Sequence, residues 1–178
     1  AKNIPEGDLS RRNLPPGSMI FVTLGSQKFQ FNRLLKKLDE LVEQEKITDK
    51  IFAQIGASDY VPINYAYKAF LNRDEFAEME QKADIVITHG GTGAIIGAVK
   101  MGKKVIAVPR LAKYGEHVDD HQLQLIKEFD GMNLICSCWD IEQLEDAIKS
   151  VKTHKYNSYH TNTQRYIDSI TDFINESH

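Results

Sequence analysis

The sequence contains, at residues 84–97, the segment Asp84-Ile-Val-Ile-Thr-His-Gly-Gly-Thr-Gly-Ala-Ile-Ile-Gly97. Its apolar start is typical of a buried strand, which ends at His89 and passes through residues 90–93 into a helix. A glycine-rich turn at such a junction exposes backbone N–H groups, and the helix N-terminus adds a partial positive charge. The alternative is a tight turn whose glycines only relieve crowding. Three glycines with a threonine and a histidine favour a phosphate or diphosphate site, to which His89 donates one further hydrogen bond from the rim.

The rest of the chain alternates predicted strands with predicted helices. We expect strands over 19–24, 51–55, 67–70, 85–88, 104–108 and 134–138, and helices over 31–45, 74–82, 93–101, 120–129, 141–151 and 159–176. Near-continuous apolar strands indicate a parallel sheet with helices on both faces, a Rossmann-like α/β fold. Ligands bind such sheets beyond the carboxyl ends of the strands. Gly25-Ser26, residues 89–93 and the loop after Pro109 should therefore share one edge.

Composition excludes several classes of function. The chain has 178 residues, is 42% hydrophobic and 26% charged, and carries a formal net charge of −3, which fits one soluble globular domain and gives no reason to expect nucleic acid as a partner. No apolar run approaches the roughly 20 residues that span a bilayer, so a membrane role would come through a partner. Residues 1–18 lack periodicity and end in Gly17-Ser18 before Met19. We expect an artificial leader over 1–18, with Met19 as the natural start of the domain.

The two cysteines, Cys136 and Cys138, lie in a predicted strand, where residues i and i+2 point to the same face. A disulfide between such close neighbours has poor geometry, and a zinc site would need a second pair of ligands. We therefore interpret them as reduced thiols in or near the core, consistent with the cytosol.

The spacing Gly91-x-Gly93-x-x-x-Gly97 is similar to a dinucleotide-binding fingerprint. It follows the fourth strand rather than the first, and the next strand ends in Pro109-Arg110 with no acidic residue to hold a ribose. The sequence thus disfavours an oxidoreductase with a dinucleotide cofactor.

The segment Glu116-His-Val-Asp-Asp-His-Gln122 gathers polar side chains just before a helix. One interpretation is a solvated helix start with Asp119 or Asp120 as N-cap. A metal site is conceivable, because His117 and His121 are four residues apart. Further ligands at helical spacing are missing, so we favour polar contacts to a sugar and predict no metal.

Three blocks in order carry a family resemblance: residues 88–96, residues 102–110 and residues 114–122. Together they resemble the nucleotide-sugar-binding, C-terminal half of GT-B glycosyltransferases of family GT28. The chain is most similar to single-domain subunits of split transferases. These include the UDP-GlcNAc-binding subunit of the dolichol pathway and bacterial counterparts in exopolysaccharide and capsule assembly. The resemblance covers Met19 to the C-terminus, so it implies one nucleotide-sugar-binding domain over 19–178.

The resemblance implies a role for each block. The donor diphosphate is expected on His89, Gly90, Gly91, Thr92 and Gly93, with Gly25 and Ser26 opposite. The uracil is expected at Phe70 and Leu71, and the sugar hydroxyls at Asp120, His121 and Gln122, with Glu116 nearby. No cofactor and no obligatory metal are expected beyond the UDP-sugar substrate. Relatives of this fold often have an acidic residue for the ribose at the position of Gly97, so the ribose contact here must come from elsewhere.

The resemblance also implies that a separate partner chain supplies the second domain of the enzyme. A full GT-B enzyme has two domains, and the acceptor site and the catalytic base usually lie on the other one. Transfer with inversion needs such a base near the acceptor hydroxyl and stabilisation of the leaving diphosphate. We therefore expect a cytoplasmic chain, recruited to the membrane face by a membrane-associated partner that presents a lipid-linked acceptor.

The leading hypothesis is the donor-binding subunit of a two-chain glycosyltransferase. It would transfer a hexose or N-acetylhexosamine from a UDP-sugar to a lipid-diphosphate-linked acceptor, with the catalytic base on the partner. The alternative is a non-catalytic module of the same fold that stabilises or enhances a partner transferase, and Gly97 gives it weight.

Overall fold

A computed structural model of the chain describes residues 14, 17–25, 29–116 and 120–176. The strands are β1 (Met19–Thr23), β2 (Lys50–Gln54), β3 (Ala66–Lys68), β4 (Ile85–Thr88), β5 (Lys104–Ala107) and β6 (Cys136–Ser137). The α-helices are α1 (Asn32–Glu43), α2 (Arg73–Lys82), α3 (Thr92–Lys100), α4 (Asp120–Gly131), α5 (Leu144–Val151) and α6 (Thr161–Glu176). Short 3₁₀ turns occupy Ala112–Tyr114 and Ile141–Gln143.

The strands form one parallel sheet in the order β3-β2-β1-β4-β5-β6. The chain builds outward from β1 to β3 and then returns to place β4 on the other side of β1. Thr23 and Thr88 are partners at the ends of these two central strands. The connections that follow β1 and β4 therefore lead away in opposite directions, which opens a crevice between them. The predicted α/β fold is confirmed.

Two apolar layers hold the sheet, because successive residues of a strand point to opposite faces. Ile20 and Val22 pack on one face against the leucines of α1, whereas Phe21 packs on the other face with residues of α3 and α4. On α1 the residues Leu34, Leu35 and Leu38 are fully buried at the spacing that lines one side of a helix. Helices thus cover both faces, as near-continuous apolar strands require.

The observed elements differ from the predicted ones mainly at the sheet edges. The strand expected over 134–138 is reduced to Cys136–Ser137, because only Ile106 and Ala107 of β5 pair with it. The helix expected over 141–151 begins as a 3₁₀ turn, whose Asp140 side chain accepts a hydrogen bond from the N–H of Glu142. Strand β3 starts at Ala66 and ends at Lys68, although Ala69 still accepts a backbone hydrogen bond from Gly56.

Both cysteines are free, and both pack against the core layer that contains α1. The prediction of one shared face is therefore confirmed. Burial is the main reason why the pKa of the Cys138 thiol is raised to about 12. A thiol that stays protonated at neutral pH is a poor nucleophile and a poor metal ligand, so Cys138 fills space in the core.

Most of the predicted leader, residues 1–13, 15 and 16, lies outside the described residues. Leu14 packs in the core layer with α1, and its N–H donates a 2.8 Å hydrogen bond to the carbonyl of Lys152. Within the described ranges, none of the helices combines the length and the apolar character needed to cross a bilayer.

Candidate functional site

The turn after β4 lies at the carboxyl end of the sheet, beside the end of β1. Gly90 has φ +97°, and its N–H bonds the hydroxyl of Thr88. Gly91 is the N-cap of α3 and offers no side-chain cap, and the first turn of the helix has no acidic residue. The first N–H groups of a helix have no intrahelical partners. The N-terminus of α3 is therefore an uncapped cluster of donors, as an anion site requires.

The opposite wall of the crevice is the turn after β1. Gly25 has φ +73°, a conformation that favours glycine. A Cβ at Gly25 would lie 3.0 Å from the ring carbon Cε1 of His89, so the backbone of this turn passes closely over the imidazole. Ser26, predicted to share the diphosphate site with Gly25, lies outside the described residues.

His89 lies behind the glycines and not at the rim of the turn. Its side chain is buried, and its Nδ1 is 3.5 Å from the carbonyl oxygen of Thr23. Burial, with a smaller contribution from the charge of Arg110, lowers the pKa of His89 to about 4. A neutral ring that donates from Nδ1 leaves Nε2 as an acceptor. The imidazole thus separates Gly25 from Gly91 as a neutral spacer, and its predicted hydrogen bond to the anion stays a prediction.

Arg110 is a cation beneath the same crevice that the sequence did not single out. It is 1% exposed, and its guanidinium donates to the carbonyls of Leu24 and Phe29, on either side of the turn that contains Gly25. Its Nε has no hydrogen-bond partner among the residues described. A buried, incompletely satisfied guanidinium raises the positive potential at this edge of the sheet. The available signal was its position three residues after the end of β5, at the same edge as the glycine turns.

Glu116 was predicted near the sugar, and the structure places it in a buried ion pair. Its two carboxylate oxygens accept hydrogen bonds of 3.0 Å from Nε and Nη2 of Arg33, and one of them also accepts from the N–H of Leu111. The side chain is 1% exposed. A carboxylate so engaged holds the loop after β5 against α1, and its predicted place near the sugar stays a prediction.

The start of α4 approaches the glycine turn from the β5 side. A Cβ at Gly90 would lie 3.9 Å from Cγ of Gln122 and 2.4 Å from Cδ1 of Ile126. Gln122 and His121 are half-buried, and Asp120 is exposed in the first turn. Gln122 is therefore brought next to the predicted diphosphate site, as a sugar contact requires.

The structure tests only in part the two alternatives for residues 116–122, a helix N-cap and a metal site. Asp119 and His117 lie outside the described residues, so the predicted N-cap at Asp119 and the pairing of His117 with His121 stay untested. Asp120 is the first residue of the helix itself. In the described part of the chain, no three His, Cys, Asp or Glu side chains are grouped so as to hold a metal ion.

Phe70 and Leu71, the predicted uracil contacts, lie between β3 and α2. Phe70 is 56% exposed, whereas Leu71 packs against the second core layer. Asn72 and Glu75 form a reciprocal capping box that fixes the start of α2 immediately afterwards. The segment is thus held at both ends and offers an exposed aromatic ring at the β3 side of the sheet edge.

A cavity of about 340 Å³ lies beside the glycine turns, between α2 and α3, and is an element of the site that the sequence did not reveal. Gly25 and Gly93 form part of its wall, with Gln54 at the end of β2 and Glu80 on α2. Glu80 is 8% exposed, and burial raises its pKa. The cavity therefore places a buried carboxylate in one space with residues of the predicted diphosphate site.

Comparison with known proteins agrees with this arrangement. Residues 19–176 match the glycosyltransferase family 28 C-terminal domain. The chain is 28% identical over 128 residues to the UDP-N-acetylglucosamine transferase subunit ALG13 of Homo sapiens, covering 67% of this chain and 11% of the relative. It is 26% identical over 119 residues to the protein of the same name from Candida glabrata, covering 66% and 54%. The chain thus spans about a tenth to about half of these two relatives.

Solved structures show the same fold. An NMR solution structure of ALG13 matches 85% of this chain and 96% of its own, with 17% identity and a TM-score of 0.56. The crystal structure of Acinetobacter baumannii MurG matches 93% of this chain and 52% of its own, with 17% identity and a TM-score of 0.61. The fold covers about half of the MurG chain. By its match over residues 19–176, the chain belongs to the glycosyltransferase family 28 C-terminal domain family.

Proposed function

We propose that this chain is the donor-binding subunit of a two-chain glycosyltransferase. It would bind a UDP-sugar and pass a hexose or N-acetylhexosamine to a lipid-diphosphate-linked acceptor presented by a partner. Family membership supports the chemistry, and two relatives named as UDP-N-acetylglucosamine transferase subunits support both the donor class and the need for a second chain.

The observation that carries the proposal is the pairing of two glycine turns across the β1–β4 crevice. Gly25 and Gly91 both pack on the ring of His89, so their backbones are held at a fixed separation. The uncapped N-terminus of α3 opens into the same space. Backbone donors in this arrangement suit a diphosphate, whose several oxygens need several N–H groups at once.

The predicted contacts follow one another along the sheet edge in the order of a nucleotide sugar. Phe70 lies at the β3 side, the cavity bounded by Gln54 and Glu80 follows beside β2 and β1, the glycine turns lie at the centre, and Gln122 comes from the β5 side. A base, a ribose, a diphosphate and a sugar would bind in that sequence. This linear order supports a whole UDP-sugar over inorganic phosphate as the ligand.

The chain can supply one half of the chemistry of transfer. Negative charge develops on the diphosphate of the leaving UDP as the bond between its oxygen and the anomeric carbon of the sugar breaks, while the acceptor oxygen forms the new bond to that carbon. The N-terminus of α3 and the buried charge of Arg110 lie where they would stabilise it. We propose that this potential makes a metal ion unnecessary. We assign the catalytic base to the partner, because the proton to be removed belongs to the acceptor hydroxyl.

The proposed setting is the cytoplasmic face of a membrane, where a membrane-associated partner would hold a lipid-linked acceptor. Assembly of an exopolysaccharide, a capsule or another lipid-linked glycan would fit this arrangement. The alternative role, a non-catalytic module that enhances a partner transferase, would use the same fold without donor binding.

The test is a calorimetric titration of UDP, UDP-glucose, UDP-galactose and UDP-GlcNAc into the chain alone and into its complex with the acceptor-binding partner. We expect saturable binding with one stoichiometric site and a preference for one sugar in the complex. Transfer of radiolabelled sugar to a lipid diphosphate acceptor should require both chains. Absence of binding in both states would contradict the proposal. Donor-independent activation of the partner would favour the enhancer role.

A further inference from the structure

Glu80 is a largely buried carboxylate on the face of α2 that borders the cavity beside the glycine turns. It lies near the end of α2 and is 8% exposed, although α2 as a whole buries no other residue to this degree. Removing a carboxylate from water is costly unless a partner compensates. The charge of Lys103 acts on it, but the ammonium of Lys103 also donates to the carbonyl of Gln81 at 2.8 Å. The position of Glu80 therefore calls for an explanation beyond packing.

Gly97 on the neighbouring helix α3 explains how the carboxylate reaches the cavity. A Cβ at Gly97 would meet only Oε1 of Glu80, at 3.8 Å. The absence of a side chain at Gly97 leaves the space in front of this oxygen open, and both residues form part of the cavity wall. An acidic side chain at position 97 would compete for the same space. The acid here comes from α2 across the gap between the two helices.

The other walls indicate what kind of group would fit. At the ends of β1 and β2 the hydroxyl of Thr23 donates to the amide oxygen of Gln54, a buried polar pair. The cavity also reaches Gly25 and Gly93, which belong to the predicted diphosphate site. A carboxylate only accepts hydrogen bonds, and its two oxygens suit two adjacent donors. A group with vicinal hydroxyls, attached directly to a diphosphate, has this chemistry.

We propose that Glu80 holds the ribose of the bound nucleotide by accepting hydrogen bonds from its 2′ and 3′ hydroxyls. This inference rests on the proposed function, since it requires a diphosphate on the glycine turns. It places the ribose between α2 and α3, on the path from the glycine turns to Phe70. It also makes Glu80 the residue that distinguishes ribonucleotides from deoxyribonucleotides.

The test compares UDP with 2′-deoxy-UDP and 3′-deoxy-UDP as ligands of the wild-type chain and of Glu80→Gln and Glu80→Ala. Hydrogen bonds to a charged acceptor are the stronger kind, so the wild type should bind UDP about 10-fold or more tightly than either deoxy analogue. Both variants should lose most of this difference, because UDP loses two hydrogen bonds in them whereas each deoxy analogue loses only the one that it kept. Measurable and nearly equal binding of all three ligands by Glu80→Ala also shows that this variant is folded.

Glu78→Gln is the matched control, because Glu78 is on the same helix and forms an exposed pair with Lys82. It should leave all three affinities unchanged. A wild-type chain that binds UDP and its deoxy analogues equally would overturn the assignment of Glu80 while leaving the proposed function intact. A Glu80→Ala chain that keeps the wild-type preference for UDP would overturn it as well. If the wild type binds no UDP, alone or with its partner, the result contradicts the proposed function itself, and with it the role of Glu80.

Discussion

The imidazole of His89 occupies the space that a side chain at Gly91 would need: a Cβ there would lie 2.8 Å from Nε2. Real Cβ atoms do not approach ring atoms so closely, so the ring and the glycine are mutually required. Because Gly25 packs on the same ring, one buried histidine contacts both glycine turns and sets their separation. The geometry of the proposed diphosphate site depends on this contact.

Gly91→Ala should therefore distort the proposed diphosphate site by displacing the ring of His89. We expect the imidazole to move, at a cost of about 1 to 3 kcal/mol in the free energy of unfolding, as for other overpacked positions. The affinity for UDP should fall at least 10-fold. Gly93→Ala is the control for stability, because its Cβ would have no neighbour within 4 Å. Chemical denaturation measures the free energy of unfolding of both variants. Equal stability of Gly91→Ala and the wild type would contradict the role of His89 as a spacer.

His89 should also make stability depend on pH. The pKa falls from about 6.5 in the unfolded chain to about 4 in the folded one, so the unfolded chain takes up the proton first as the pH is lowered. The contribution of neutral His89 is thus complete above pH 6.5 and is lost between about pH 6.5 and 4. This loss amounts to about 3 kcal/mol. His89→Gln should show a correspondingly shallower decline in denaturation curves from pH 7 to 4, and parallel declines would be inconsistent with a buried neutral ring.

Glu116→Gln tests whether Glu116 acts in the ion pair or at the sugar. Removing its charge leaves the guanidinium of Arg33 with a weaker partner in a largely buried site, which should cost about 2 to 3 kcal/mol of stability. The ratio of the UDP-sugar and UDP affinities should not change. Glu142→Gln removes an exposed partner of Lys37 and should cost less than about 0.5 kcal/mol. A changed affinity ratio at unchanged stability would restore the sugar role to Glu116.

Gln122→Ala tests the sugar end of the site. Its side chain lies beside the turn at Gly90. Loss of one or two hydrogen bonds to the sugar should weaken binding of the preferred UDP-sugar by about 3- to 10-fold and leave UDP unaffected. Gln124→Ala, on the exposed side of the same helix, is the matched control. Equal weakening of UDP and UDP-sugar would show that Gln122 acts on the nucleotide or on the fold of the turn.

The sequence predicted the central part of the fold well and its edges less well. Strand β4 has the predicted bounds of 85–88, because four consecutive apolar or β-branched residues next to a glycine turn admit few other structures. Strand β6 is shorter than predicted, because pairing with β5 limits it and apolar content does not. Local pattern determines a central strand, whereas tertiary pairing determines the length of an edge strand.

The site was predictable where neighbouring residues form it, and less so where distant residues meet. The glycine turn at 90–93 is local, and its position at the carboxyl end of β4 follows from the fold. The ion pair of Arg33 with Glu116 joins residues 83 positions apart, so the polar segment 116–122 could not reveal it. In the sequence Glu80 is one more charged residue of a short predicted helix, and only the packing of α2 beside Gly97 brings its carboxylate to the cavity.

The central claim is that a UDP-sugar binds across the β1–β4 crevice, and the most direct measurement is a two-dimensional ¹H–¹⁵N NMR titration of the chain with UDP. The account predicts saturable shifts of the amides of Gly25, Gly90, Gly91 and Gly93 that follow one dissociation constant. The amide resonances of β6 and α5, at the far edge of the sheet, should not shift. Saturable shifts confined to that far edge, or no shifts at millimolar UDP with or without the partner, would contradict it.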